Sequence, residues 1–548
     1  MTSSVLSRRV LLARGGAALG LAALGRPVAA APVCRAARRQ LPLALFADPV
    51  GAATLKALAI DAIQSARDAG ATYADIRIGE QRTFSTETQG RGYTFSTTVG
   101  YGVRALVDGV WGFRHGTLLT RDSVVDAGRA AAQAALRESR LNHALGGERV
   151  ELSPTRSVKG EWTTPVRLDP FAVPIDDHLR WLDTLESTTE TLFKIKTFCV
   201  FEWIEETRVF ASTEDSLVTQ QFTRSRNVAG VSAALPDEGI QLTLGVPSVF
   251  PSSGGYEVVL RPAFVDDIAR TADRAMWLSS IPVRSFHDVG RYSVVLDGGA
   301  MATLIAQTIN QAVEGDRVLG FEADAAGTTF LAPAAQMLGR SAQLSPLVTI
   351  RSDWELPAFT AAKWDDEGVP AGSHTLIDRG VVTAYHTTRE TAAALDTDVA
   401  PALRVGRSRG RCLVAKPSDM PMPLGGNVVM QPAPTVMSLE TLCRDIHHGF
   451  LQYDAYITPE PGLTMARSNG AFLELKRGQP VARIMNVGLQ FETRKMLQSA
   501  LLALGDPSTS GTRQTYTSKG MPWQQSMQMG TAPAALFKDI DLFLTDVS

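Results

Sequence analysis

The chain has 548 residues, a length that predicts two or more domains. Of these residues 45% are hydrophobic and 20% charged, which is typical of soluble globular proteins. The 54 Lys and Arg residues nearly balance the 56 Asp and Glu residues, so there is no basic field to bind nucleic acid or an anionic membrane.

The first 31 residues have the order of features of an export signal. Ser7, Arg8 and Arg9 precede an apolar segment rich in Gly and Ala, and small residues at 29–31 follow it. This order is typical of a twin-arginine signal peptide with a cleavage site. A membrane-spanning helix would need about 20 strongly apolar residues, which this segment lacks. The alternative to a signal peptide is an unstructured tail. We therefore expect residues 1–31 to be a signal peptide and the protein to be periplasmic.

Four cysteines, Cys34, Cys199, Cys412 and Cys443, form no CxxC pair. A zinc ribbon or a thioredoxin-like site is therefore not indicated. A disulfide is possible in an oxidising periplasm, and four cysteines allow three full pairings, among which the sequence does not choose.

The first half of the mature chain alternates between helical and strand patterns. Residues 53–70 and 121–136 have helical periodicity, and the alternating stretches between them predict strands with a hairpin turn at Asp108-Gly109. A Pro-, Ser- and Thr-rich stretch at 152–174 predicts a loop. Strand-like runs follow, between predicted helices at 179–193 and 264–278.

Short strands and turns dominate the second half. A strand at 292–299 leads into a helix at 303–320, a polar stretch at 506–530 predicts a long loop, and the last strand is predicted at 536–546. We predict an α+β fold of two domains, an N-terminal α/β domain at 50–290 and a β-rich C-terminal domain at 291–548.

The helix "TLIAQTINQAVEGDRVLG" at 303–320 has an apolar side and a polar stripe. Gln307, Gln311 and Glu314 follow one another at spacings of four and three residues and would share one face. The pattern alone favours a half-buried helix with this stripe in solvent.

Several stretches together resemble the TldD/PmbA family of bacterial metallopeptidases, also called modulators of DNA gyrase. The resemblance covers about residues 55–500. Its most specific part runs from Glu314 to Gly380, and the Glu-Gly-Asp at 314–316 is closer to the TldD side of the family. The stretches are "YADIRIGEQ", "GYGVRALVDGVWGF", "FASTEDS", "QAVEGDRVLGFEADAAGTTFL" and "WDDEGVPAGSHTLIDRGVV", with Tyr385 and "RETAAAL" behind them.

The resemblance implies a zinc site that this chain lacks. Active members have H-E-x-x-x-H on the corresponding helix and a distant cysteine, which give zinc three ligands and an activated water. Here Ala306 and Gln311 stand at the histidine positions and Gln307 at the glutamate position. No cysteine lies beyond Cys443, and "TYTSKGMPW" offers Thr517 and Ser518 in the corresponding region. We expect no metal or other cofactor, and no catalytic residues.

A relocated metal site is the alternative. Carboxylates and two imidazoles near the helix could hold a hard cation, but clustered acids more often cap helices and hydrogen-bond turns. The candidates are Glu314, Asp316, Glu322, Asp324, Asp365, Asp366, Glu367, His374 and His386. "GRSRG" at 406–410 fits the spacing of a nucleophile elbow, but the Pro-containing segment behind it argues for a loop.

Two functions remain open. The first is a partner or peptide-binding subunit without zinc catalysis, in which Gln307, Gln311, Glu314 and Asp316 line a substrate groove. An unfolded peptide would add a strand to a sheet edge there. The second is an active peptidase that uses a relocated metal site. The resemblance also implies a homodimer, or a heterodimer with a family paralogue; neither nucleic acid nor membrane is expected as a partner.

Overall fold

The computed structural model describes residues 50–545, except 88–91, 194, 236–239, 247–251 and 341. The predicted signal peptide and Cys34 lie outside the described residues. The predicted α+β fold is confirmed. No helix within the described residues has the length and apolar character that crossing a membrane requires.

Eleven α-helices are assigned within the described residues. They are α1 (Ala52–Asp68), α2 (Arg121–Leu145), α3 (Ile175–Phe193), α4 (Pro262–Ser279), α5 (Gly298–Gln307), α6 (Ile309–Ala312), α7 (Gly315–Val318), α8 (Ala334–Met337), α9 (Arg389–Asp398), α10 (Leu439–Arg444) and α11 (Thr493–Lys495).

Nine strands found in the described part of the N-terminal half form one sheet. They are β1 (Tyr73–Glu87), β2 (Tyr93–Val107), β3 (Val110–Gly116), β4 (Lys159–Thr163), β5 (Lys196–Ser212), β6 (Leu217–Ser225), β7 (Val228–Leu235), β8 (Ile240–Gly245) and β9 (Ser252–Ser253). The order along the sheet is β3-β2-β1-β5-β6-β4, with β7 on β5, β8 on β7 and β9 on β6.

The C-terminal half contains the remaining strands. They are β10 (Gly290–Leu296), β11 (Ile350–Ser352), β12 (His374–Asp378), β13 (Val381–Val382), β14 (Cys412–Leu413), β15 (Met422–Pro423), β16 (Asn427–Met430), β17 (His448–Pro459), β18 (Met465–Lys476), β19 (Gln479–Ile484), β20 (Val487–Glu492), β21 (Leu501–Leu504), β22 (Gly511–Lys519), β23 (Gln524–Ala532) and β24 (Ala535–Leu544).

Two larger sheets in this half enclose helix α5. In the first, the path β10-β17-β18-β20-β24 closes on itself because β10 also pairs with β24. The second sheet has the order β13-β12-β11-β16-β23-β22. Helix α5 is buried along nearly its whole length and contacts β22, β23 and β17.

The helical predictions hold better than the loop predictions. Helices α1 to α4 lie where periodicity predicts them, and Asp108 and Gly109 make the hairpin turn between β2 and β3. The predicted loop at 152–174 is wrong at Lys159–Thr163, which pairs in parallel with β6. The predicted long loop at 506–530 is also wrong, because β22 and β23 form an antiparallel hairpin there.

Cys199, Cys412 and Cys443 are buried thiols, and no disulfide joins any two of them.

Candidate functional site

Helix α5 brings its C-terminal residues against the β22–β23 hairpin. Asp297 caps its start, where Oδ1 accepts a hydrogen bond from the N–H of Ala300 at 2.8 Å. A Cβ on Gly530 of β23 would lie 2.1 Å from the carbonyl oxygen of Ala302. Only glycine permits this approach, which places Ala306 in contact with the strand.

The predicted single helix at 303–320 is interrupted, which corrects the sequence-based interpretation. Helix α5 ends at Gln307, and Thr308 has φ −112° and ψ −69° while its hydroxyl donates to the Leu304 carbonyl at 2.6 Å. Glu314 then adopts an extended conformation before α7. The three predicted polar positions therefore do not share one continuous helical face, since Glu314 belongs to a turn.

The two glutamines form a hydrogen-bonded row. Gln311 Nε2 donates to Gln307 Oε1 at 2.9 Å, and Gln311 Oε1 accepts from Arg317 Nη2 at 3.1 Å. Gln307 Nε2 donates to the main-chain carbonyl of Tyr516 on β22 at 3.3 Å. The amide groups thus link α5, α6 and α7 to the hairpin.

A lysine that the sequence analysis did not identify closes this row. Lys519, at the end of β22, is fully buried, and its Nζ lies 2.9 Å from Glu314 Oε2 and 2.8 Å from Asp316 Oδ2. Arg317 Nε donates to the same Glu314 oxygen at 3.1 Å. Burial lowers the pKa of Lys519, but the Asp316 and Glu314 carboxylates outweigh it and hold the pKa above its usual value.

The residues at the zinc positions do not fit zinc. Ala306 has no ligand atom, and the amides of Gln307 and Gln311 hydrogen-bond to protein groups. Thr517 points inward from β22 and Ser518 outward, so Thr517 occupies the inward place in the region that corresponds to the cysteine. Within the described residues, no three His, Cys, Asp or Glu side chains are grouped so as to hold a metal ion.

Buried polar contacts continue below the row. Asn310 Nδ2 donates to Gln528 Oε1 and to the Gly426 carbonyl, each at 3.0 Å, so Asn310 Oδ1 faces His386 Nε2 at 3.1 Å. His386 therefore carries its proton on Nε2. Burial, with Arg411 adding to the effect, holds the pKa of His386 well below its usual value, so this imidazole is neutral.

The acidic loop after Trp364 holds the two halves of the chain together. Asp365 accepts from the N–H groups of Glu367 and Val369, Asp366 pairs with Arg208 at 2.8 Å, and Glu367 pairs with Arg104 at 3.0 Å. These carboxylates cap a turn and neutralise arginines of the N-terminal sheet.

Of the other candidate residues, His374 packs edge to face against His386, with ring centroids 6.0 Å apart, and the rest make separate contacts. Glu322 Oε2 accepts from the Gly520 N–H at 3.2 Å, and Asp324 is exposed. His374 hydrogen-bonds the Gly372 carbonyl through Nδ1, and burial lowers its pKa to about 4. Ser408 donates to the Thr387 carbonyl within a loop rather than at a strand–helix junction.

A cavity of about 470 Å³, here called the inter-sheet cavity, lies between the N-terminal sheet and the hairpin. Its wall includes side chains of β5 and β6, the acidic loop and the β22–β23 hairpin. Those used below are Glu206, Arg208, Arg224, Asp366, Lys416 and Tyr516. The predicted groove residues Gln307, Gln311, Glu314 and Asp316 do not line it. Of these four, Gln307 alone is partly exposed, and its bond to Tyr516 joins it to the cavity wall.

Strand β22 is an edge of its sheet. The Gln307 bond shows that the Tyr516 carbonyl points away from β23, and antiparallel alternation gives the backbone groups of Gln514 and Ser518 the same direction. Among the described residues no strand pairs with this side of β22.

The chain matches domains of known metallopeptidases. Residues 289–541 match the PmbA/TldA metallopeptidase C-terminal domain, and residues 74–137 match PmbA/TldA metallopeptidase domain 1.

Similar proteins agree with this match. A metalloprotease from Methanothermobacter thermautotrophicus is 25% identical over 69% of this chain and 75% of its own length. A metalloprotease from Methanocaldococcus jannaschii is 23% identical over 60% of this chain and 68% of its own length. The structure of TldE from Thermococcus kodakarensis aligns with 88% of this chain and 99% of its own, at a TM-score of 0.64 and 14% identity, a likeness of fold. The chain therefore belongs to the PmbA/TldD family of metallopeptidases.

Proposed function

We propose that the protein is an exported TldD/PmbA-family member that lacks zinc catalysis and binds unfolded peptide segments as a partner subunit. Peptide binding is supported chiefly by one observation: no described strand pairs with the outer side of β22, which lies beside the inter-sheet cavity, although its Tyr516 carbonyl accepts a bond from Gln307. A peptide that adds a strand to this edge needs backbone hydrogen bonds but no metal.

The loss of zinc catalysis is supported by the side chains that replace the ligands. Zinc requires nitrogen, sulfur or carboxylate donors with a free lone pair. Gln311 has both amide atoms engaged. The nearby Glu314 already binds the cationic groups of Lys519 and Arg317 through Oε2, and these positive charges would repel a metal cation. Lys519 is not a substitute base, because its pKa is raised and its ammonium group is enclosed by carboxylates.

The edge of β22 can be tested with proline. Ser518→Pro removes an N–H that points away from β23, and proline is tolerated on an edge strand in that orientation. We expect the mature protein to bind a fluorescent unfolded peptide, measured by anisotropy, and Ser518→Pro to weaken binding several-fold, since one backbone hydrogen bond contributes about 0.5–1.5 kcal/mol.

Two comparisons make this test specific. Ser518→Ala keeps the N–H and should bind as the parent does. Two peptides are then N-methylated, one at the odd and one at the even residues. Only one of the two should lose affinity, since alternate N–H groups of a peptide strand face β22. Strand addition would be contradicted if both N-methylated peptides bound equally well and Ser518→Pro bound the peptide as tightly as the parent protein.

The absence of zinc catalysis has a separate test. We expect purified protein, alone and co-expressed with a family paralogue, to contain no stoichiometric zinc and to leave unfolded peptides intact. Metal at one equivalent per chain, together with chelator-sensitive cleavage, would instead support the relocated-site peptidase. Co-purification with the paralogue would support the proposed heterodimer, and a mass of two chains for the protein alone would support a homodimer.

A further inference from the structure

Arg224 on β6 has more hydrogen-bond donors than acceptors around it. Its Nη1 donates to Glu206 Oε2 at 2.8 Å, which is its one hydrogen bond to a described residue, and its Nε is buried without an acceptor. A guanidinium has five N–H donors and no acceptor atom. Most donors of Arg224 therefore have no protein partner within the described part of the chain.

The neighbouring Arg208 shows the contrast. Its Nη1 reaches both oxygens of Asp366, at 2.8 and 2.9 Å, and its Nε donates to Glu206 Oε1 at 2.6 Å. Arg208 is thus enclosed by two carboxylates, while Arg224 shares one of them. Burial lowers the pKa of Arg224 to about 10; Glu206 opposes this shift and Arg208 adds to it. Arg224 remains a cation at neutral pH, without a full counter-charge.

The guanidinium is held in place against the cavity. Its central carbon lies 3.8 Å from the ring centroid of Phe222 and 5.2 Å from that of Phe359. Such stacking fixes the plane of the group and leaves its edge for hydrogen bonds. Arg224 lines the inter-sheet cavity, and a tenth of its side-chain surface is accessible.

We propose that the inter-sheet cavity is a carboxylate-binding site in which Arg224 anchors an acidic group of the bound peptide, its C-terminal carboxylate or an Asp or Glu side chain. The ligand must present an acceptor, since Arg224 has only donors to offer. A planar carboxylate matches the fixed guanidinium edge, and the exposed Lys416 adds a positive charge to the wall.

The proposal rests on the proposed function, because the peptide on β22 supplies the carboxylate. Tyr516 belongs both to the β22 edge and to the cavity wall, so a peptide strand on this edge runs along the cavity. Four basic side chains line the cavity against three acidic ones, and the acids Glu206 and Asp366 are already paired. A bound carboxylate would bring the net charge of the cavity lining and its ligand to zero.

Three peptides of one neutral sequence test this on the mature protein. The first has a free C-terminus, the second is amidated, and the third is amidated with one Glu at its last position. A charged hydrogen bond is worth enough that we expect the free acid to bind about tenfold or more tightly than the amide. A gain for the third peptide as well would show that side-chain carboxylates are accepted; no gain would restrict the site to the C-terminus.

Arg224→Gln should remove the preference by weakening the free acid to the affinity of the amide. Arg270→Gln, an exposed arginine paired with Asp267 on α4, controls for loss of one positive charge and should keep the preference. Arg224→Lys keeps the positive charge but loses the planar guanidinium edge, so it should retain only part of the preference for the free acid over the amide. The peptide comparison on the parent protein needs no variant, so it stands even if Arg224→Gln does not fold.

The outcomes separate the two proposals. Equal binding of all three peptides by the parent, or an unchanged preference in folded Arg224→Gln, overturns the carboxylate site but leaves peptide binding intact. Failure of every peptide to bind overturns the proposed function itself.

Discussion

The ammonium group of Lys519 lies 2.9 Å from Glu314 Oε2, although 205 residues separate the two in sequence. Both side chains are fully buried, and Asp316 completes the contact at 2.8 Å. The pair fixes the end of β22 to the turn after α6. A protein cation thus neutralises the acidic turn beside Gln307 and Gln311.

Lys519→Met should destabilise the protein strongly. Removing one partner of a buried ion pair leaves uncompensated charge and costs about 3–5 kcal/mol of unfolding free energy. Urea unfolding followed by circular dichroism measures the change. Lys476→Met is the control, because the half-exposed Lys476 ammonium lies 3.2 Å from the buried Glu474, which keeps Arg284 as a partner, so we expect a cost of about 0–1 kcal/mol. Similar losses for both variants would contradict a structural role for the buried pair.

Zinc binding should return only when a thiol is added at the right position. Ala306→His, Gln307→Glu and Gln311→His together restore two ligands and the general base, so this triple variant should bind zinc weakly at most. Adding Thr517→Cys supplies the inward-facing third ligand and should tighten zinc binding, as measured by competition with a chromogenic chelator.

The neighbouring position gives the control for that experiment. Ser518→Cys places the thiol on the outward face of β22, and in the triple-variant background it should not improve zinc affinity. Equal affinity for the two cysteine variants would mean that the thiol does not complete the site.

The sequence predicts the helices well because their apolar faces repeat every three to four residues. Helix α1 buries Leu55, Leu58 and Ala62 at this spacing, as its pattern predicts. The degenerate ligand positions follow from the resemblance, and the Gln307–Gln311 contact follows from a spacing of four residues.

The hairpin escaped prediction for a physical reason. Strand β22 buries Thr515, Thr517 and Lys519, so its inward positions are polar and show no hydrophobic alternation. These side chains face a polar site rather than an apolar core. Lys519 and Arg224 could not be recognised from the sequence, since their partners depend on tertiary contacts.

Protein stability should fall with acid through His178. This imidazole lies buried on α3, where its Nε2 forms a hydrogen bond with the Pro170 carbonyl. Burial lowers the pKa of His178 to about 4. The unfolded chain, with a histidine pKa of about 6.5, takes up the proton first. The stabilising contribution is therefore full above about pH 6.5 and is lost as the pH falls towards 4.

A variant isolates this histidine. Near pH 5 the unfolding free energy of the parent should change by about 1.4 kcal/mol per pH unit more than that of His178→Gln, which does not titrate. The exposed His447→Gln controls for the loss of one histidine from the chain. Parallel pH profiles for the parent and His178→Gln would contradict a depressed pKa.

Export should depend on the arginine pair and should deliver a folded chain. Arg8→Lys with Arg9→Lys should retain the protein in the cytoplasm, as measured by fractionation and immunoblotting, because the twin-arginine route reads both arginines.

The twin-arginine route carries folded proteins, so the thiols that are buried in the fold should be protected during export. Burial raises the pKa of Cys443 to about 12 and that of Cys412 well above its usual value. The exported protein should therefore keep Cys199, Cys412 and Cys443 unmodified by an alkylating reagent until it is denatured. Periplasmic arrival of the lysine variant would exclude this route, and alkylation of the native protein would show that these thiols are accessible.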